Sequence, residues 1–320
     1  VDQAQEWYER SVVAMPLDQW LAMASADDYL ACLESSPHRH SALGLMSRAC
    51  RDLGLHTAGR GTPHMLSYGV GCDPEQWGPG REARLLPAGI FDADSGGIEA
   101  LDPAAINEHV RHSWFRQYPG GKHPFDGETI PDYQPQGDRY TWSKAPRYGD
   151  KVMQTGPLAE LVVAGDRLLQ DLNAREGSGA WLRQFARIRR CGFELAQARR
   201  TLDELARHLD EPHFLPPPKT LEVDGQGYGL VMAARGALGH WVKIRDGVID
   251  RYQIVTPTAW NASPRDSAGR PGHWEQSLVG LRVADADDPV EVGHIIRSHD
   301  PCLVCTVHMA DTGRRLVFGV

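Results

Sequence analysis

The sequence has 320 residues and a formal net charge of −8, with 41% hydrophobic and 24% charged residues. This composition is typical of a globular protein that can bury a large core, as one domain or as two packed halves. The acidic balance argues against nucleic acid as the main partner. No apolar run approaches the roughly 18 residues that cross a bilayer, and no signal-peptide pattern opens the sequence. Six cysteines are too few for a disulfide scaffold, so we expect a reducing compartment.

The first half of the chain divides into a helical part and a loop-rich part. Residues 1–56 contain short apolar runs at helical spacing, and we predict helices there. Residues 57–156 are loop-rich, and residues 73–148 within them are dense in Gly, Pro, Asp and Tyr. A strand is predicted over 85–91 and a helix over 104–115. A loop region of this length is uncommon in a compact domain and is usually functional. The alternative is that it wraps the surface of a larger assembly.

The second half begins with long helices and then changes character. Residues 157–210 predict two helices, and residues 219–266 have strand composition. Asp246-Gly247 is a hairpin signal between the second and third predicted strands. Residues 267–320 predict C-terminal helices that lead into a cysteine motif.

The fold class expected from this order is α+β and predominantly helical. We expect a single domain over residues 1–320, with a small antiparallel sheet near residues 228–256. No internal repeat is evident, which argues against a solenoid.

Two thiols and an imidazole lie close together in the segment Asp300-Pro-Cys-Leu-Val-Cys-Thr-Val-His308. Cys302 and Cys305 are three residues apart, so both sulfurs can lie on one side of a helical turn. Pro301 suits the first position of such a turn. Thiolates at a helix N-terminus have lowered pKa values, which favours a soft metal.

The CxxC pattern alone leaves three interpretations open. A thioredoxin-like redox motif requires a βαβ context, which is absent here. A structural zinc site requires a second ligand pair, for which only Cys191 and scattered histidines are available. The third interpretation is a softer metal, such as nickel or iron, whose site is completed by ligands from elsewhere.

Two further segments have the composition of a site. Arg235 stands between small residues at a strand end, where a fixed cation could stabilise developing charge or act on a metal-bound substrate. The alternative is a surface arginine in a hairpin. Residues 256–265 place hydroxyls and an amide among prolines, which suits a rigid pocket wall or an ordinary polar loop. No nucleophile elbow, P-loop or dinucleotide-binding glycine pattern is present.

Taken together, these segments resemble the catalytic large subunit of nickel–iron hydrogenases. The cysteine segment looks like the C-terminal motif of that family. Ala233-Ala-Arg-Gly-Ala-Leu-Gly-His-Trp241 resembles its arginine loop, and Thr256-Pro-Thr-Ala-Trp-Asn261 resembles its active-site wall. Three smaller segments fall in the expected order along the chain: residues 59–61, residues 112–115, and residues 145–148 with 155–157.

The resemblance implies a role for each residue of the motif. Cys302 would be a terminal nickel ligand, and Cys305 would bridge nickel and iron. Arg235 would sit over the bimetallic centre and assist heterolytic cleavage of H2. Asp300 would support this arrangement from the surrounding shell.

The same resemblance implies the surroundings of the iron and a second metal. Pro257 and Thr258 would contact the cyanide and carbon monoxide ligands of the iron, near Ala234, where many family members have proline. His308 would bind Mg²⁺, with the backbone carbonyl of Ile254 as another ligand.

Two departures from the family pattern bear on these expectations. The family has a second CxxC near its N-terminus, with a nearby acidic residue that accepts protons, and no such motif occurs in the N-terminal part of this sequence. The resemblance therefore covers only the later part of a large subunit, and two nickel thiolates would have to come from outside this sequence. Many members are also cleaved after the motif histidine, whereas residues 309–320 follow it here. This fits an unprocessed form, or a branch that is never cleaved, such as the hydrogen-sensing members.

The expected function is oxidation of H2 to protons and electrons by an uptake or sensor hydrogenase. An iron–sulfur small subunit would be its partner, since no cluster motif occurs here, and maturation proteins or an endopeptidase are further possible partners. The expected location is the cytoplasm, or a membrane reached through a partner subunit. The alternative is a non-catalytic maturation scaffold that carries an iron fragment, although the retained Arg235 segment and polar wall favour catalysis.

Overall fold

The structure is a computed structural model that describes most of the chain. Its described residues are 1–71, 84–212, 214, 224–285, 287–302, 306–311 and 314–319. From residue 306 onward only the backbone is described.

The N-terminal region is helical, as the sequence predicts. It contains a π-helical segment, Tyr8–Val13, and four α-helices: α1 (Asp2–Trp7), α2 (Leu17–Ala22), α3 (Ala26–Glu34) and α4 (Ala42–Asp52). Serine side chains cap two of these helices: Ser25 Oγ accepts from the backbone N–H of Asp27 at 3.2 Å, and Ser41 Oγ accepts from that of Gly44 at 3.0 Å. Such caps satisfy donors that a helix N-terminus leaves free.

Three further helices build the core with this region. They are α5 (Pro157–Val163), α6 (Arg167–Glu176) and α7 (Ala180–Leu205). The sequence predicts one helix where α5 and α6 lie, but Gly165 adopts a positive φ of 86° and Asp166 caps a new helix. Trp181 and Phe185 of α7 pack against Trp20 and Tyr29 in one apolar cluster. This cluster makes α7 the central helix of the molecule.

The loop-rich region contains two small antiparallel sheets. The first has β1 (Met65–Ser67), β2 (Gly89–Asp92) and β3 (Gly97–Glu99), and the second has β4 (Ile106–His109), β5 (Gly121–Lys122) and β6 (Ala145–Tyr148). The helix predicted over residues 104–115 is wrong, because β4 pairs along its length with β6. Local spacing does not reveal a partner strand that lies almost 40 residues away in the sequence.

The predicted antiparallel sheet is confirmed. It consists of β7 (Gly225–Ala233), β8 (Gly236–Arg245) and β9 (Val248–Val255). Asp246 and Gly247 form the turn between β8 and β9 with positive φ angles of 52° and 72°, as the hairpin signal requires. One face of the sheet covers a second apolar cluster around Trp241, which is 1% exposed.

The C-terminal region mixes helices and strands. It contains α8 (Pro257–Asn261), α9 (His273–Leu278), α10 (Val290–Ser298) and a hairpin of β10 (Thr306–Asp311) and β11 (Arg314–Gly319). The prediction of C-terminal helices did not include this hairpin. The class is α+β, but the predominantly helical character is not confirmed, because four antiparallel sheets accompany the helices in the described part of the chain.

Candidate metal centre

Arg235 lies at the tip of the hairpin between β7 and β8. The next residue, Gly236, has a φ of +131°, and a Cβ atom there would lie 2.7 Å from Thr155 Cγ2. Only glycine suits both the backbone angle and this close approach. The backbone N–H of Ala237 donates to Thr155 Oγ1 at 2.8 Å. The hairpin tip is therefore fixed against the segment that precedes α5, and this fixes the backbone of Arg235.

The cysteine motif reaches Arg235 from the end of α10. The helix ends at Ser298, and Asp300 then adopts a positive φ of 52°, which turns the chain. Arg235 Nε donates to the backbone carbonyl of Pro301 at 3.3 Å and lies 3.6 Å from Asp300 Oδ1. Pro301 and Cys302 do not form the predicted helical turn. The rest of that turn, including Cys305, lies outside the described residues.

Helix α8 forms the wall on the other side of Cys302. The backbone N–H of Cys302 lies 3.4 Å from Thr258 Oγ1, at the limit of hydrogen bonding. Pro257, at the first position of α8, is buried. Asn261 fixes the helix, because its side chain exchanges two hydrogen bonds of 3.0 Å with the backbone of Thr155. The predicted polar loop is thus a short capped helix that shares an anchor with the Arg235 hairpin.

Sequence reasoning missed Arg187, which contacts the same aspartate from α7. Its Nε lies 3.6 Å from Asp300 Oδ2, and its Nη2 donates to the carbonyl of Ser298 at 3.3 Å. Burial lowers the pKa of Arg187, and the Asp300 charge opposes this shift. No local signal singles out Arg187, because α7 carries arginines at 183, 189 and 190 as well.

The charges around Asp300 are mainly positive. Arg187 and Arg235 share the single carboxylate of Asp300 among the described residues. Arg183 lies nearby with no carboxylate partner in the described part of the chain, and its donors reach Ser298 Oγ at 2.9 Å and the Gly59 carbonyl at 3.0 Å. Burial lowers the pKa of Arg183. This excess of positive charge, next in sequence to Cys302, would favour an anionic group, such as a metal held by several thiolates.

The other predicted site residues have different positions. Ala234 is exposed at the hairpin tip beside Arg235. Ile254 lies in β9 opposite His240, and its side chain is 46% exposed. The backbone of His308 pairs with Val317 in the C-terminal hairpin, and its side chain is not described. The described geometry therefore brings together Arg235, Asp300, Cys302, Pro257 and Thr258, and leaves the predicted magnesium site untested.

A second group of metal-type side chains lies at His64, Asp92 and Asp94. The ammonium group of Lys151 pairs with both carboxylates, at 2.9 Å from Asp94. The hydrogen bond from Lys151 also lowers the pKa of Asp92. This group is an ion-pair cluster, because the lysine already supplies the cation.

None of the described helices combines the length and the apolar character that a membrane span requires.

Arg187 and Arg235 thus flank Asp300, two residues before Cys302. Residues 49–308 match the family described as nickel-dependent hydrogenase. The chain belongs to this family.

Individual relatives agree with the family match. The chain is 34% identical over 294 residues to the hydrogenase-1 large chain of Escherichia coli K12, a span of 79% of this chain and 49% of that protein. It is 31% identical over 295 residues to the uptake hydrogenase large subunit of Rhodobacter capsulatus, covering 80% of this chain and 49% of the relative. The chain thus spans about half the length of these relatives.

Solved structures give the same result for the fold. A reduced, active form of the Ni-Fe-Se hydrogenase from Desulfomicrobium baculatum superposes with a TM-score of 0.68 and 29% identity, over 88% of this chain and 60% of the other. The reduced Ni-Fe-Se hydrogenase from D. vulgaris Hildenborough gives a TM-score of 0.68 and 26% identity, over 87% and 60% of the two chains.

Proposed function

We propose that this chain is the C-terminal part of the catalytic large subunit of a nickel–iron hydrogenase, of the uptake or hydrogen-sensing type, that oxidises H2. The observation that supports the proposal is that Arg235 contacts Asp300 and the Pro301 carbonyl, directly before Cys302. The backbone N–H of Cys302 lies 3.4 Å from Thr258 Oγ1, in the helix that begins at Pro257. Relatives named as hydrogenase large subunits support the enzyme and do not favour the maturation scaffold.

The metal ligands in this proposal come from the cysteine motif. Cys302 would bind nickel and Cys305 would bind both nickel and iron, while the remaining thiolates come from polypeptide beyond this sequence. A nickel–iron centre supplies the Lewis acidity and the redox capacity for splitting H2. Carbon monoxide and cyanide would complete the coordination of the iron. His308 and the backbone carbonyl of Ile254 would bind Mg²⁺.

Three residues around this centre would contribute to cleavage of H2. The Cys302 Sγ thiolate is a base that can hold the proton released from H2. The Arg235 guanidinium, fixed by its hairpin and by the Pro301 carbonyl, would stabilise charge that develops during cleavage. Asp300 would keep that guanidinium in place. Ala234, Pro257 and Thr258 would enclose the diatomic ligands and exclude water from them.

The electrons need an acceptor outside this chain. We propose an iron–sulfur small subunit as that partner, with maturation proteins or an endopeptidase acting earlier on residues 309–320. The proposed location is the cytoplasm, or a membrane reached through a partner subunit.

The test combines metal analysis, infrared spectroscopy and H2-dependent dye reduction on the assembled protein. Nickel with iron, carbonyl and cyanide bands, and dye reduction are the expected results. Cys302→Ser should lose nickel and reduce activity to background, whereas Cys191→Ser, at an exposed free cysteine, should retain both. Iron alone without activity would favour the scaffold, and zinc alone without infrared bands would favour a structural zinc site.

A further inference from the structure

Asp300 is held between two arginines that come from different parts of the fold. Arg235 Nε lies 3.6 Å from Oδ1, and Arg187 Nε lies 3.6 Å from Oδ2. Arg235 is at a half-exposed hairpin tip, whereas Arg187 projects from the central helix and is 25% exposed. The positive φ of Asp300 shows that its backbone is in a conformation that non-glycine residues seldom adopt. An ion pair on each carboxylate oxygen would help to maintain it.

A small cavity adjoins the Arg187 side of this arrangement. Its walls come from the segment before α5, from α7 and from the end of α10, and it has room for about one water molecule. The polar side chains that line it belong to Gln154, Thr155, Arg183, Arg187, Ser298 and His299.

Two of these lining side chains are buried with unused hydrogen-bonding groups. Gln154 is 1% exposed and His299 is 4% exposed. Both amide atoms of Gln154, and both ring nitrogens of His299, have no hydrogen-bond partner among the residues that the structure describes. Leaving such a group unsatisfied destabilises the fold, so buried polar groups are nearly always paired with protein or with ordered water.

The electrostatic environment keeps His299 neutral. Burial lowers its pKa well below the ordinary value, and Arg183, His273 and Arg187 lower it further. A neutral imidazole offers one donor and one acceptor, which suits a water molecule shared with an amide. His273 packs edge-on at 4.7 Å between ring centroids and limits the movement of the His299 ring.

We propose that Arg187 is a positioning residue that holds Asp300 on the oxygen opposite Arg235, and that a water molecule bound between Gln154 and His299 supports it. This inference rests on the proposed hydrogenase function. Arg187 itself acts only through Asp300, which in turn orients the Arg235 guanidinium. Arg187 of helix α7 thus sets the orientation of Arg235, which lies in the hairpin between β7 and β8.

The test is a double-mutant cycle on the assembled hydrogenase that contains this chain. Arg187→Met should lower the turnover number for H2 oxidation about 10- to 100-fold, the range for residues that support metal-site groups, with little change in KM. Combined with Asp300→Asn, the same substitution should have almost no further effect. Arg200→Met, at an exposed position of the same helix, is the control and should retain wild-type turnover.

The water site has its own variants. His299→Phe and Gln154→Met should each lower turnover less than Arg187→Met, and should shift the carbonyl and cyanide bands in the same direction. His294→Phe makes the same change at an exposed position of α10 and should leave both unchanged. A crystal structure should show a water molecule within hydrogen-bond distance of Gln154 and His299.

The outcomes separate this inference from the proposed function. A wild-type protein without nickel or H2 oxidation overturns the proposed function. An active wild type in which Arg187→Met and Asp300→Asn reduce turnover independently overturns the positioning role. If Arg187→Met does not fold, Arg187→Lys tests the same cycle. Wild-type turnover in His299→Phe and Gln154→Met, together with a dry cavity, overturns the water site.

Discussion

Two arginine–aspartate pairs, Arg147 with Asp266 and Arg235 with Asp300, differ in how many guanidinium donors are hydrogen-bonded within the protein. Arg147 and Asp266 are fully buried, with Nε donating to Oδ2 at 2.9 Å. The remaining Arg147 donors reach Ser263 Oγ and the carbonyls of Pro146, Pro264 and Arg270. Arg235 is 36% exposed, lies 3.6 Å from Asp300, and has one other polar partner in the described part of the chain, the Pro301 carbonyl.

The Arg147 charge therefore stabilises the fold, whereas the Arg235 charge is available to a ligand. Burial raises the pKa of Asp266, but the hydrogen bond and charge of Arg147 outweigh it, so the carboxyl stays ionised. Every donor of Arg147 is occupied, and no further group can use it. Among the described residues, Arg235 uses only its Nε donor, toward Asp300 and the Pro301 carbonyl, so its other donors could serve a ligand.

The largest expected effect is on stability, from Arg147→Met. This change removes the fully buried cation of the pair and leaves Asp266 with the partly exposed Arg270, whose Nε donates to Oδ2 at 2.8 Å. The free energy of unfolding should fall by about 3–5 kcal/mol. Urea denaturation would measure it. Arg235→Met is the matched variant and should leave the denaturation midpoint nearly unchanged. Equal losses of stability in the two variants would remove the distinction between the pairs.

The next effect is on activity, from Arg235→Lys. Lysine keeps the charge but loses the planar set of donors, so H2 oxidation should fall about 10²–10³-fold. Denaturation midpoint and nickel content should stay at wild-type values, and dye reduction would report the loss. An active Arg235→Lys enzyme would indicate that charge alone is sufficient at this position.

A third pair, Glu160 with Arg190, lies between these extremes and predicts a pH effect. Burial raises the pKa of Glu160 to about 7, although the ion pair with Arg190 opposes the shift. The folded protein therefore keeps a proton that the unfolded chain loses, and the free energy of unfolding falls as the pH rises from about 4.5 to about 7. The pH-dependent loss should be about 3 kcal/mol.

Glu160→Gln removes the titrating group and should flatten this dependence. Urea midpoints of both proteins between pH 4 and pH 8 would show the difference between them growing with pH. Parallel curves would mean that Arg190 keeps Glu160 ionised throughout.

The smallest effect is expected at the surface. Arg175 is paired with Asp27 at 2.5 Å, but both side chains are largely exposed. Water and salt screen such pairs, and many contribute nothing measurable. Thermal denaturation of Arg175→Ala should therefore match wild type, and a clear destabilisation would show that pairing matters more than burial in this protein.

Much of the local structure could be predicted because its signals are local. Apolar residues at helical spacing predicted the N-terminal helices, and Asp246-Gly247 predicted the turn between β8 and β9. The helix predicted over residues 104–115 failed because the spacing of Ile106 and Val110 fits a helix as well as a buried strand, and only pairing with β6 decides between them.

Some residues of the candidate site likewise had a local sequence pattern, and others did not. Arg235 and the cysteine motif carried enough of a pattern to predict their chemistry, whereas Arg187 had no pattern of its own. Its role depends on the point at which α7 passes the end of α10. A contact between distant elements cannot be predicted from the sequence of either element alone. Gln154 and His299 were likewise invisible as a pair until the cavity brought them together.

The sequence by itself determined the residue types that a thiolate metal site needs, together with the Asp246-Gly247 turn between β8 and β9. It did so because apolar spacing, hairpin turns and ligand spacing are short-range features. Only the tertiary structure decided that Asp300 lies between two arginines and that Arg147 has no donor to spare. These facts depend on burial and on distances across the fold, which determine how many donors of each guanidinium group are occupied by protein acceptors.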